Sequence, residues 1–151
     1  MLGPQGTLES RGFLHCPRPH APQLGRRWFF EVYPHPAHVV LFRRTRIIKY
    51  KKGPIASRRC GLEEFRQSLI EHLSVAQPSL KITVALQSFL DQPLEMLRGA
   101  ALKQYEDKLD AVFCAYLAAY FWAWSYQRNE MIGSYETGYI INPRIDMPAV
   151  R

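Results

Sequence analysis

A mixed α/β chain, rich in helix and short of strand, follows from three features of this 151-residue sequence. One run, Arg27 to Tyr33 (RWFFEVY), is dense in aromatic and β-branched residues and reads as a strand. Apolar residues recur at helical spacing in two stretches, 61–74 and 100–126. The composition, 47% hydrophobic and 22% charged, supports a buried core and excludes a disordered or collagen-like chain.

Residues 1–26 read as a basic, loop-like N-terminal segment. Pro4, Pro17, Pro19 and Pro22 leave no room for a long helix, because each removes a backbone donor and restricts its predecessor. Pro34 and Pro36 end the strand, whose unbroken Trp28-Phe29-Phe30 suits burial on both faces. A short helix is expected from Pro36 to Phe42. Arg43 to Lys52 (RRTRIIKYKK) is a basic stretch closed by Gly53-Pro54. Gly61 to Ser74 predicts an amphipathic helix with Leu62, Phe65, Leu69 and Leu73 inward. Ile82 to Leu97 predicts two short helices divided at Pro93. Ala100 to Tyr126 is the strongest helix, with Leu102, Leu109, Val112, Phe113, Leu117 and Tyr120 on one face. Ile132-Gly133 suggests a turn, and Gly138 to Pro143 a final short strand. Two strands are too few for a stable sheet alone.

Charge is unevenly spread. Residues 1–60 hold 12 Lys+Arg against 2 Asp+Glu, a net of +10, and residues 61–151 hold 8 against 11, a net of −3. The first part therefore offers a positive field to a polyanion. Three dispersed cysteines, Cys16, Cys60 and Cys114, read as reduced thiols in a cytoplasmic protein, Cys114 as a small buried hydrophobe. No secretory h-region is visible. The longest uncharged apolar run, Ala111 to Trp124, falls short of the roughly 20 residues that a bilayer span needs.

The candidate chemistry lies in Tyr105 to Ala111 (YEDKLDA). Asp107 and Asp110 are three apart and adjacent on the helix surface. With Leu102 at 0°, Asp110 falls at about 80° and Asp107 at about 140°, beside an apolar arc from about −80° to +60°. Two close carboxylates repel unless neutralised. Mg²⁺ or Mn²⁺ would do this and would suit phosphate chemistry. A solvated helix face paired with Lys103 and Lys108 is the plainer account of the pattern. Glu31 is either a further acid of the site or a strand carboxylate paired with Arg26 or Arg27. Lys49, Lys51 and Lys52 are either phosphate contacts or solvated surface. His35 and His38 read as structural, and the aromatics Tyr116 to Tyr126 as core rather than a base-stacking platform. No glycine-rich phosphate loop and no GxSxG elbow occur.

Four blocks occur in order: Phe30 to Ala37 (FEVYPHPA), Ile48 to Gly53 (IKYKKG), Leu102 to Ala119 (LKQYEDKLDAVFCAYLAA), and Gly133 with Gly138 to Pro143 (GYIINP). Together they resemble the domain-of-unknown-function 429 family, whose members are described as predicted RNase H-like nucleases. The resemblance covers about Gly12 to Pro143. It implies a partial RNase H-like α/β fold over 27–143, with 144–151 a tail, and a metal-dependent nuclease acting on nucleic-acid phosphodiesters. It implies Asp107 and Asp110 as metal ligands and catalytic acids, Glu31 as a third acid, and Mg²⁺ or Mn²⁺ as cofactor. The family's opening strand with a glycine-flanked aspartate and its later strand with a second aspartate have no counterpart, so the chain resembles the helix-rich C-terminal half of that domain. That departure implies a truncated, inactive form, or a half completed by another chain or by self-association. The alternative is a non-enzymatic nucleic-acid- or partner-binding remnant.

Overall fold

The structure, a computed structural model, describes residues 4–15, 25–134 and 136–145. Cys16, Pro17, Pro19, Pro22 and the tail from residue 146 lie outside the described residues. The chain divides into two units: one holds the residues up to Tyr33 and those from Leu117 onward, the other is Pro34–Tyr116. The fold is mixed α/β, helix-rich, with four short strands among the described residues.

In the first unit, helix α1 (Pro4–Ser10) occupies part of the stretch expected to be a loop. The expectation fails there because a proline at a helix's first position costs no hydrogen bond. Strand β1 (Phe13–His15) pairs in parallel with β2 (Arg27–Phe29), Leu14 opposite Trp28. Strand β2 is shorter than the expected Arg27–Tyr33, since the backbone beyond Phe29 changes partner. The carbonyl of Glu31 accepts from the Ile141 amide at 2.9 Å, and the Tyr33 amide donates to Asn142 Oδ1 at 3.2 Å. Strands β3 (Asn129–Ser134) and β4 (Gly138–Pro143) form an antiparallel hairpin. Strand β3, NEMIGS, replaces the turn expected at Ile132-Gly133, because a short segment with polar ends carries little strand signal of its own and is held by its pairing with β4. At Gly133 the backbone has φ +100°, and an added Cβ would lie 2.4 Å from the Gly138 carbonyl oxygen, so only glycine fits. Phe121, Tyr139 and Ile141 form this unit's core, packed by Trp28, Phe30, Tyr126 and Met131.

In the second unit, α2 (Pro34–Leu41) lies two residues ahead of its expected start. Helix α3 (Ile55–Ser68) begins six residues before Gly61, because its first turns, IASRRC, carry no apolar periodicity. A π-helical turn, Leu69–Leu73, continues it and keeps Leu69 and Leu73 buried beside Leu62 and Phe65. Helix α4 (Val84–Leu90) is capped by Thr83, whose hydroxyl accepts from the Leu86 amide at 3.2 Å. A 3₁₀ turn, Leu94–Met96, follows Pro93, so the expected pair of short helices is present. Helix α5 (Gly99–Arg128) contributes its residues through Tyr116 to this unit and is broken by a kink at Ser125, whose backbone (φ 45°, ψ −139°) is not helical. Leu102, Leu109 and Phe113 are buried as the helical spacing requires, and so are Tyr105 and Glu106.

Candidate functional site

Helix α2 ends in a Schellman motif. The Arg44 amide bonds to the Val39 carbonyl at 2.9 Å and the Arg43 amide to the Val40 carbonyl at 3.3 Å. Arg43 takes the left-handed position (φ 50°) that glycine usually fills. This turn launches the basic segment 43–52 across the second unit. Ile48 and Tyr50 point inward and are buried, while Lys49 and Lys51 are exposed, the alternation of extended backbone. Gly61 lets α3 approach this segment closely: an added Cβ would lie 2.1 Å from the Lys49 carbonyl oxygen.

The acids of α5 meet this segment and α3. Asp110 accepts from Tyr50 Oη at 2.6 Å and from Lys51 Nζ at 2.7 Å. Burial, and then the hydrogen bond to Asp110, raise the Tyr50 phenol well above its ordinary range, so it stays protonated and donates. Asp107 is exposed and accepts from Lys103 Nζ at 2.7 Å. Lys103 also bonds to Glu106 at 2.8 Å, and Arg58 Nη2 reaches Glu106 at 3.1 Å. The hydrogen bonds to Asp107 and Glu106 raise the Lys103 ammonium above its usual range. Cys114 is half-buried, and burial followed by the charge of Asp110 raises its thiol, keeping it protonated.

Of the residues singled out from sequence, Lys51 and Asp110 are thus brought together, and Asp107 lies one turn away with a separate lysine. Glu31 belongs to the other unit, its side chain exposed. The alternative pairing of Glu31 with Arg26 or Arg27 is not made among the described residues: Arg27 bonds to the Arg11 carbonyl at 3.0 Å and lies 4.8 Å from the Phe13 ring centre. Lys49 and Lys52 are exposed and have no acidic partner among the described residues, and the same holds for Arg43 and Arg46. Sequence reasoning missed Glu106, Tyr50 and Arg58.

Glu106, Asp107 and Asp110 are matched by Arg58, Lys103 and Lys51, so the cluster is locally neutral. A hard dication seeks oxygen ligands with a surplus of negative charge. Among the described residues no group of three or more His, Cys, Asp or Glu is arranged to hold one. As they stand, these residues do not fit a resident Mg²⁺ or Mn²⁺, and no chemical step is routed through such an ion. What the arrangement can do is hold Lys51 in place and leave four other cations of the segment facing water.

His38 is fully buried against Phe42, Phe65 and Phe113, with ring centres 4.3–5.3 Å apart. Neither of its ring nitrogens has a hydrogen-bond partner, and burial pushes its pKa down to about 3. Burial, then the charge of Lys51, lowers His35 as well. Both are neutral parts of the packing, in keeping with a structural role. No helix among the described residues is long and apolar enough to cross a membrane.

No curated protein and no solved structure matches the chain. A family model described as "Protein of unknown function (DUF429)" matches residues 7–129, which include the basic segment, Asp107 and Asp110. That match spans well over half of the sequence, and the chain belongs to the domain-of-unknown-function 429 family.

Proposed function

We propose that the chain binds nucleic acid through phosphate contacts made by the segment Arg43–Lys52. The observation that carries this reading is the set of four exposed cations, Arg43, Arg46, Lys49 and Lys52, left without acidic partners, while neighbouring Arg44 and Lys51 are tied to Glu64 and Asp110. A protein that neutralises phosphates in this way gains affinity from counterion release, independent of sequence. The +10 balance of residues 1–60 adds a long-range field that draws a polyanion in.

Metal-dependent cleavage is the second reading. It is favoured by Asp107 and Asp110 lying one helical turn apart, with Asp107 open to solvent. It requires displacing Lys51 and Lys103 and recruiting further oxygen ligands.

The test compares binding of a labelled oligonucleotide to the unaltered chain and to the double variant Lys49→Ala, Lys52→Ala. Loss of two phosphate contacts should weaken binding at moderate salt by roughly tenfold or more, with no requirement for Mn²⁺. Unchanged affinity would sink the binding reading. Cleavage that appears with Mn²⁺ and disappears in Asp107→Asn, Asp110→Asn would establish the second.

A further inference from the structure

Beside the basic segment lies an open cavity of about 800 Å³, lined by Arg44, Arg46, Ile47, Lys49, Cys60 and the carboxylate Glu64 among others. Its volume is in the range of roughly 300–1,000 Å³ that small-molecule sites occupy. Two properties of its wall go beyond positive charge. Arg44 is fixed: its Nη2 pairs with Glu64 and its Nε donates to the Arg46 carbonyl at 3.4 Å. A guanidinium held from two sides presents a planar face at little further entropic cost. Ile47 is 45% exposed in the middle of a basic run, an apolar surface that the fold itself does not use. Arg46 and Lys49 line the same cavity with no acidic partner among the described residues.

We infer that this cavity takes one unstacked nucleotide of a single strand, its base against Arg44 and Ile47 and its phosphates on Arg46 and Lys49. The inference rests on the proposed nucleic-acid binding and narrows it to single-stranded substrates. The physical argument is about which surfaces a nucleic acid exposes. In a duplex the base faces are stacked on one another and only their edges reach the grooves. In a single strand the faces are free to lie on aromatic rings or on arginine planes, and the backbone follows the nearby cations. A concave pocket with a planar cation and an apolar wall has nothing to receive from a duplex beyond its phosphates.

The experiment measures binding of a short single-stranded oligonucleotide and of the duplex of the same length. It uses the unaltered chain and the charge-preserving variants Arg44→Lys and Ile47→Ser. Arg44→Lys retains the ion pair with Glu64 but lacks the plane. Ile47→Ser removes the apolar wall at an exposed position, so the fold is spared. The unaltered chain should prefer the single strand. Each variant should weaken single-strand binding by roughly 5- to 20-fold and move duplex binding by less than about twofold, the scale of losing one base stack. Equal affinity for the two forms, or variants that change both alike or neither, would overturn the inference while leaving phosphate binding intact. Binding to neither form would overturn the inference together with the proposed function.

Discussion

His38 is a titratable side chain sealed in an aromatic core with both ring nitrogens unbonded. A neutral imidazole is tolerable there and an imidazolium is not. Its folded pKa of about 3 lies below the ordinary 6.5, so the unfolded chain takes up the proton first. Stability from this residue is therefore complete above about pH 6.5 and is lost as the pH falls from there toward 3. Urea denaturation across that window should show a loss of up to roughly 1.4 kcal/mol per pH unit from this one group. His38→Leu should flatten the profile. A variant that keeps the full slope would show that another group is responsible. The sequence reads His35 and His38 as structural and says no more. The burial of His38 comes from Phe65 and Phe113, which are distant in the chain and meet it only through tertiary packing.

At the scale of elements, α5 shows what periodicity reveals and what it passes over. Its apolar face is largely buried as the spacing requires, and at the margin of that face Asp107 is exposed and Asp110 half-buried. The same helical wheel sets Glu106 at about 40°, inside the apolar arc. The residue missed was therefore legible as a buried acid, although its partner Arg58, on α3, was not. Removing Arg58 would leave a carboxylate that is 2% exposed with Lys103 as its remaining cation. Arg58→Met should lower stability by about 2–3 kcal/mol, while Glu106→Leu, which removes the buried charge itself, should cost less. Chemical denaturation of both variants checks this, and a larger loss in Glu106→Leu would contradict it. The ends of the elements were harder to read. Helix α3 starts in a stretch without apolar marks, and Arg43 takes a left-handed turn that nothing in its side chain announces.

For the whole molecule, the charge asymmetry and the family were the legible features. Three of the four sequence blocks that resemble the family fall within the matched residues 7–129, and the fourth, Gly133 with Gly138 to Pro143, lies beyond them. The pairing of the basic segment was not legible, because Lys51 and Lys52 are neighbours in sequence and only the fold assigns Asp110 to the first. That assignment separates held cations from free ones, and the proposed function rests on the free ones. The most direct measurement is the salt dependence of single-stranded oligonucleotide binding, followed by fluorescence anisotropy. Four phosphate contacts predict that log K falls linearly with log salt, with a slope of about −3, and that Lys49→Ala, Lys52→Ala halves it. Binding that is absent, or that does not weaken as salt rises, would contradict the account.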